Sequence, residues 1–121
     1  AANEPTSDKF RDITPILNKL TGQSNQLSLH RIKANLYTRT DTIQKHKFHT
    51  DFDPDNMGAR HWMVGIFYLN SNDGYTEFET GEIVESVGNR LVTFPGHLSH
   101  RGTSCTNEKI RALINIGYYG W

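Results

Sequence analysis

Cysteine is almost missing from this sequence: Cys105 stands alone among 121 residues. No disulfide can close within the chain, which fits a reducing, cytoplasmic setting. Cys105 reads as an ordinary cysteine, because no base stands beside it to hold a thiolate. Long apolar runs are also missing, and nothing approaches the roughly 20 residues a membrane helix needs. The opening Ala1-Ala2-Asn3-Glu4-Pro5 has no charged stretch followed by an apolar one, so it does not read as a signal peptide. It has no initiator Met, which points to a processed or trimmed start. An excess of charge of one sign is lacking too. Lys and Arg number 13, as do Asp and Glu, so no global field draws the chain to nucleic acid or to a membrane surface. A local basic patch stays open. There are no repeats, low-complexity tracts or linkers. The length fits one domain, 1–121, able to bury roughly two-thirds of its unfolded surface.

What the chain does have is histidine: His30, His46, His49, His61, His97 and His100, most of them in segments that read as strand. Residues 1–7 are small and polar and are expected to fray. Phe10, Ile13, Ile16, Leu17 and Leu20 recur at three- and four-residue spacing, predicting an amphipathic helix over about 8–20. Ser7 stands where a cap belongs and Gly22 just past the end. Pro15 should kink or restart this helix. From Leu27 onward the pattern is β. Leu29 to Thr38 alternates loosely, and Trp62–Leu69 is the continuous apolar run of a central strand. Asn70–Gly74 is a turn cluster. Short strands follow at Tyr75–Thr80, Glu82–Val87, Arg90–Phe94 and Ile110–Tyr119, broken at Gly81, Gly88-Asn89 and Pro95-Gly96. Many short strands with regular turn signals predict a mainly β domain with an N-terminal helix. Its barrel is a jelly roll spanning about 27–121, with inward positions reaching the mouth. Glu77, Glu79, Glu82 and Glu85 read as a solvated strand face.

One pairing carries chemistry. His49-Thr50-Asp51 puts two metal-ligand side chains at i and i+2, on one face of a strand. A third must come from afar, and His100 lies 49 residues after Asp51. Two imidazoles and a carboxylate on one face of an octahedral ion leave three open positions, the facial triad of non-haem iron(II) oxygenases. On its own H-x-D is common. It gains weight from Arg111, 11 residues past His100, in an apolar strand where an unpaired Arg is costly and where its fork of donors suits a bidentate carboxylate. An outward-facing Arg on an edge is the plainer alternative.

In order, His49-Thr50-Asp51, Trp62–Asn70, Asn89–Pro95, His100 and Arg111 resemble the prolyl-4-hydroxylase-type branch of the iron(II)- and 2-oxoglutarate-dependent oxygenases. The likeness runs from about Lys33 to Tyr119. It implies a double-stranded β-helix, a cupin-like jelly-roll barrel. It also implies Fe(II) on His49, Asp51 and His100, and 2-oxoglutarate and dioxygen as co-substrates. Arg111 and Tyr68 would bind the distal carboxylate of 2-oxoglutarate, and Tyr37 would lie near the co-substrate. In this pattern the distal His falls about nine to eleven residues before the basic residue. That favours His100 over His97, which the turn Pro95-Gly96 should also hold aside. His46 has Phe48, not a carboxylate, two residues on, and is rejected as a ligand.

The implied activity is hydroxylation of a C–H bond with release of succinate and carbon dioxide. Asp51 fills the position a halide takes in related halogenases, which favours a hydroxylase. The substrate is expected to be a protein or peptide, with proline a candidate residue. The segment 52–60 would fold over it, with Arg60 and Trp62 facing it. A small molecule or free amino acid is the alternative, favoured by the short chain. Balanced charge, with no basic stripe interleaved with aromatics, counts against nucleic acid. A non-catalytic cupin-like protein or a zinc hydrolase would use the same three ligands, but has no need of Arg111.

Overall fold

The computed structural model describes residues 12, 14–21, 28–53, 55 and 62–119. The fraying of 1–7, Ser7, Phe10, Ile13, Gly22, His61 and most of the 52–60 segment, Arg60 included, lie outside them.

Among the described residues the helix is α1 (Thr14–Thr21), with Pro15 in its first described turn, where a missing N–H breaks no helical bond. The described part of the helix runs from Thr14 to Thr21, within and one residue past the span of about 8–20 that the apolar spacing predicts; the earlier part of that span lies mostly outside the described residues. Among the described residues, seven strands form two antiparallel sheets. The first joins β1 (Ser28–Thr38), β7 (Ile110–Tyr119), β2 (Trp62–Tyr68) and β5 (Leu91–Pro95) in that order. The second joins β4 (Ile83–Glu85), β3 (Tyr75–Phe78) and β6 (His100–Gly102). Residues 45–49 add an irregular fourth row beside β6, through bridges at Lys45–Thr103 and His49–His100.

Followed along the chain, β1 lies in the first sheet, 45–49 in the second, β2 in the first, β3 and β4 in the second. β5 then returns to the first, β6 to the second and β7 to the first. This alternation wraps the chain into a double-stranded β-helix, the barrel expected from the turn pattern. β2, the continuous apolar run, sits centrally between β7 and β5, where both of its faces are covered. Gly81 breaks β3 from β4 at a φ of 100°, a left-handed conformation that glycine takes without penalty.

Two apolar clusters hold these layers, each fully buried aliphatic side chain contributing about 1.5–3 kcal/mol. Between the sheets lie Val64, Ile66, Tyr68, Phe78, Phe94 and Leu113. On the outside of the first sheet, Leu17 of α1 packs on Ile114, Ile116 and Tyr118. Alternation along β7 therefore turns its even-numbered residues to the helix. Arg111, Leu113, Asn115 and Gly117 turn to the barrel interior. No described helix is long and apolar enough to cross a membrane.

β6 has no signal in the sequence: its three residues, His100-Arg101-Gly102, carry no apolar alternation. Glu77 is not a solvated residue. Its carboxylate accepts Arg101 Nε at 2.6 Å and Nη2 at 2.5 Å, with Lys45 Nζ at 3.9 Å. Glu79, Glu82 and Glu85 are exposed as expected.

Candidate active site

His49 and His100 are opposite residues that exchange both backbone hydrogen bonds, His49 N to His100 O at 2.9 Å and His100 N to His49 O at 3.0 Å. Such a pair presents its side chains together across the ladder, and the ring centroids lie 4.5 Å apart. Asp51 follows where the chain has already left the ladder, so the i, i+2 relation of a regular strand does not aim it. Its backbone is set instead from both sides. The His49 bridge fixes what precedes it, and Phe52 N donates to Gly96 O at 3.2 Å just after it. A side chain at Gly96 would overlap the Phe52 ring, so the glycine of the Pro95-Gly96 turn makes the seat for this anchor.

The Asp51 carboxylate lies between the rings, Oδ1 3.4 Å from His49 Nε2 and Oδ2 3.4 Å from His100 Nε2. Ligand atoms on the three side chains fall within 4.8 Å of one another. Adjacent ligands of an octahedral ion at about 2.1 Å are roughly 3 Å apart. Both Nδ1 atoms are directed at backbone carbonyls, His100 to Leu98 O at 2.9 Å and His49 to Lys47 O at 3.4 Å. That leaves each Nε2 free for a metal, the usual outer support of a ligating imidazole. His100 is buried against Phe94, whose ring is 4.7 Å away. Electrostatics agree. Burial pushes the Asp51 carboxyl upward, but the two imidazoles outweigh it and hold it well below its ordinary range. The bond to Asp51 raises the His49 pKa against partial burial. Two imidazoles and a carboxylate make a donor set that fits a divalent cation.

The structure separates the competing histidines. His97 is exposed in the Pro95-Gly96 turn. The ring of His46 packs on Tyr37 at 5.0 Å and is not among the three clustered ligands. Burial, then Arg111 and His49, lower its pKa.

Arg111 is 1% exposed, so the outward-facing alternative fails. Its Nε donates to Ser86 Oγ at 3.0 Å, while Nη1 and Nη2 are buried with no hydrogen-bond partner. The Tyr37 and Tyr68 rings lie 5.5 and 5.8 Å from the guanidinium carbon. Tyr68 is itself tied to Thr76, its Oη 2.7 Å from Thr76 Oγ1. Burial pulls the Arg111 pKa down, and Tyr68, Tyr37 and Cys105 oppose it. Arginine stays charged all the same, and an uncompensated buried charge costs several kcal/mol. Two parallel orphaned N–H groups are shaped for an anion with two oxygens.

Sequence reasoning missed the residues that hold Arg111. Ser86, beyond the end of β4, is buried but carries no motif. Gly74 reads only as a turn residue, yet a Cβ there would meet Arg111 Cδ at 2.5 Å and Ser104 O at 2.6 Å. Cys105 is fully buried, with Sγ 3.4 Å from Glu108 O. Trp62 is half-buried, stacked on Phe52 at 5.3 Å. Beside His49 and Asp51 opens a cleft of about 340 Å³, walled by Asn35 and Tyr37 of β1, Val64 of β2 and Asn115 of β7. Tyr37 thus borders both the cleft and Arg111.

Fold and site together define a double-stranded β-helix protein with a His-Asp-His cluster at its mouth. No family model matches the sequence, and no curated protein matches it. Solved structures do share its fold. A viral collagen prolyl hydroxylase from Paramecium Bursaria Chlorella virus-1, in complex with 2-oxoglutarate, superposes with a TM-score of 0.59 at 14% identity. That match covers 92% of this chain and 70% of the viral one. A prolyl-4-hydroxylase from Pseudomonas putida gives 0.53 at 19% identity, over 98% of this chain and 67% of that one.

Proposed function

We propose that this chain is an Fe(II)- and 2-oxoglutarate-dependent oxygenase that hydroxylates a C–H bond, with a peptide, prolyl residues included, as its substrate. One observation carries the reading: the same barrel that clusters His49, Asp51 and His100 also buries a guanidinium with two unpartnered nitrogens. A zinc hydrolase or a non-catalytic cupin-like protein would use the cluster and leave Arg111 without a purpose. His49, Asp51 and His100 would hold the iron through Nε2, Oδ and Nε2. Arg111 Nη1 and Nη2 would take the distal carboxylate of 2-oxoglutarate, with Tyr68 and Tyr37 walling it. When bound, iron, 2-oxoglutarate and dioxygen supply oxidative decarboxylation coupled to hydroxylation, releasing succinate and carbon dioxide. The protein sets geometry and keeps water from the buried end. The fold shared with two prolyl hydroxylases supports the peptide assignment. A small molecule or free amino acid is the alternative substrate.

The oxygenase assignment is testable without knowing the substrate. Adding Fe(II) and 2-oxoglutarate under anaerobic conditions should produce a visible charge-transfer band in the wild type. His49→Ala and Asp51→Ala should each abolish it. A wild type that binds zinc yet gives neither band nor succinate would end the oxygenase reading.

A further inference from the structure

The cleft beside the metal cluster has a wall the proposed chemistry does not use. Arg31 and Lys33 line it from β1, joined by His30. They reach it for a structural reason. From Arg31 to Thr38 the register of β1 with β7 is unbroken, so Arg31 and Lys33 alternate inward with Asn35 and Tyr37. Just before them the register shifts between Leu29 and Arg31, and this bulge turns Leu29 to the outer cluster while His30 joins the cleft wall. Lys33 faces Asn115 across the ladder.

Neither cation has an ion-pair partner among the described residues. The acidic side chain lining the cleft is Asp51, which the two imidazoles already engage. In a chain of zero formal charge, this concentrates uncompensated positive charge on one wall. The floor beneath is built from rings. His30 packs 5.2 Å from Phe52 and 5.4 Å from Trp62, and Trp62 also meets Tyr119 at 5.5 Å. Gly117 lies against both rings: a Cβ there would be in ordinary contact with Phe52 at 3.5 Å and His30 at 3.6 Å.

We propose that Arg31 and Lys33 are substrate-recognition residues and that the substrate is an extended acidic peptide, with carboxylates flanking the residue brought to the metal cluster. Positions i and i+2 on a strand are roughly 7 Å apart, the spacing of acidic side chains on one face of an extended peptide. β1 is an edge of its sheet, so such a peptide can lie along it. This rests on the oxygenase reading, since the metal cluster is what gives the cleft its chemistry. The plainer role for cations on an edge strand is to discourage sheet-to-sheet pairing, and that role predicts no ligand preference.

The test is fluorescence anisotropy with labelled Glu-Pro, Gln-Pro and Lys-Pro repeat peptides of equal length, on protein loaded anaerobically with Fe(II) and 2-oxoglutarate. The wild type should bind the Glu-Pro peptide at least about tenfold more tightly than the Gln-Pro peptide, with a steep salt dependence. An Arg31→Glu/Lys33→Glu double variant should reverse this order and prefer Lys-Pro. Arg31→Lys, which keeps the charge, should retain the wild-type order and guards against a folding artefact. Equal affinity for the Glu and Gln peptides, or an order the reversal leaves unchanged, overturns the proposal. Free glutamate competing as well as the peptide overturns the peptide assignment in favour of a small carboxylate. The wild-type charge-transfer band separates the two readings. A band with charge-blind peptide binding sinks this proposal alone, and no band sinks the oxygenase reading beneath it.

Discussion

The two ends of the site are built on opposite terms. At the deep end Arg111 is held by Ser86, hemmed by Gly74 and walled by two tyrosines, almost wholly buried. At the open end Arg31 and Lys33 stand in solvent on an edge strand, tied to nothing described. A buried charge fixed this firmly accepts few ligands, because any misfit leaves a charge unpaired in a dry pocket. An exposed pair tolerates many. On the proposed function, the deep end would specify a co-substrate common to a chemistry, and the open end would be where one substrate differs from another.

The largest effect that could break this contrast is at Arg111. Replacing it with Met removes a buried cation and keeps much of its bulk. We expect 2-oxoglutarate affinity to fall about 100-fold or more, measured by calorimetry on metal-loaded protein. The same variant without ligand should be more stable than wild type by about 1–4 kcal/mol in urea, because the unpaired guanidinium is gone. Wild type should in turn gain stability from 2-oxoglutarate that the variant does not. A variant less stable than the ligand-free wild type would mean that Arg111 is compensated and that the deep end is not waiting for an anion.

A smaller effect sharpens the same contrast. Ser86→Ala removes the acceptor that aims the guanidinium, without touching its charge, and should raise the KM for 2-oxoglutarate about five- to tenfold. Gly74→Ala forces the Arg111 stem aside and should match or exceed that. Neither should disturb the wild-type order of affinities for charged peptides. If either does, the two ends are coupled and the division fails.

What the amino-acid sequence discloses of this molecule divides along the same line. The barrel is legible, because β2 is a continuous apolar run and the turns fall at Asn70–Gly74, Gly81 and Gly88-Asn89. The clustered side chains His49, Asp51 and His100 are nearly so. His49 and Asp51 are two residues apart, and His100 is separable from His97 by its place after the turn. Strand alternation accounts for Asp51 only in part, since its aim comes from the Phe52 anchor at Gly96. β6 is invisible, because three residues are too few to show a pattern. Ser86 and Thr76 are invisible too, because a buried hydroxyl that orients another side chain looks in sequence like any other. The cationic wall is hidden for a further reason. Arg31 and Lys33 face the cleft by the same alternation as Asn35 and Tyr37, but which face of a strand borders a cleft leaves no mark on composition.

The smallest predicted effect lies beneath the deep end. Asp73 ties the turn before Gly74 to the loop that carries Ser104. It accepts from Thr106 N at 2.7 Å and contacts the Thr106 hydroxyl, while its own N–H donates to Asn107 Oδ1 at 3.0 Å. Slight burial pushes its carboxyl up, but hydrogen bonds to the carboxylate from the Thr106 hydroxyl and from the backbone of Thr106, Asn107 and Asp73 itself outweigh that and lower its pKa from 3.8. A carboxyl depressed in the folded state stabilises it above the unfolded pKa, and this is lost as pH falls through the folded value. Asp73→Asn should therefore cost no more than about 1 kcal/mol at neutral pH, given the group's exposure to screening solvent. Denaturation curves of the two proteins should converge below pH 3.8, with the KM for 2-oxoglutarate unchanged throughout. A shift in that KM would show that the pocket floor depends on a surface turn, and that the deep end is less rigid than its burial implies.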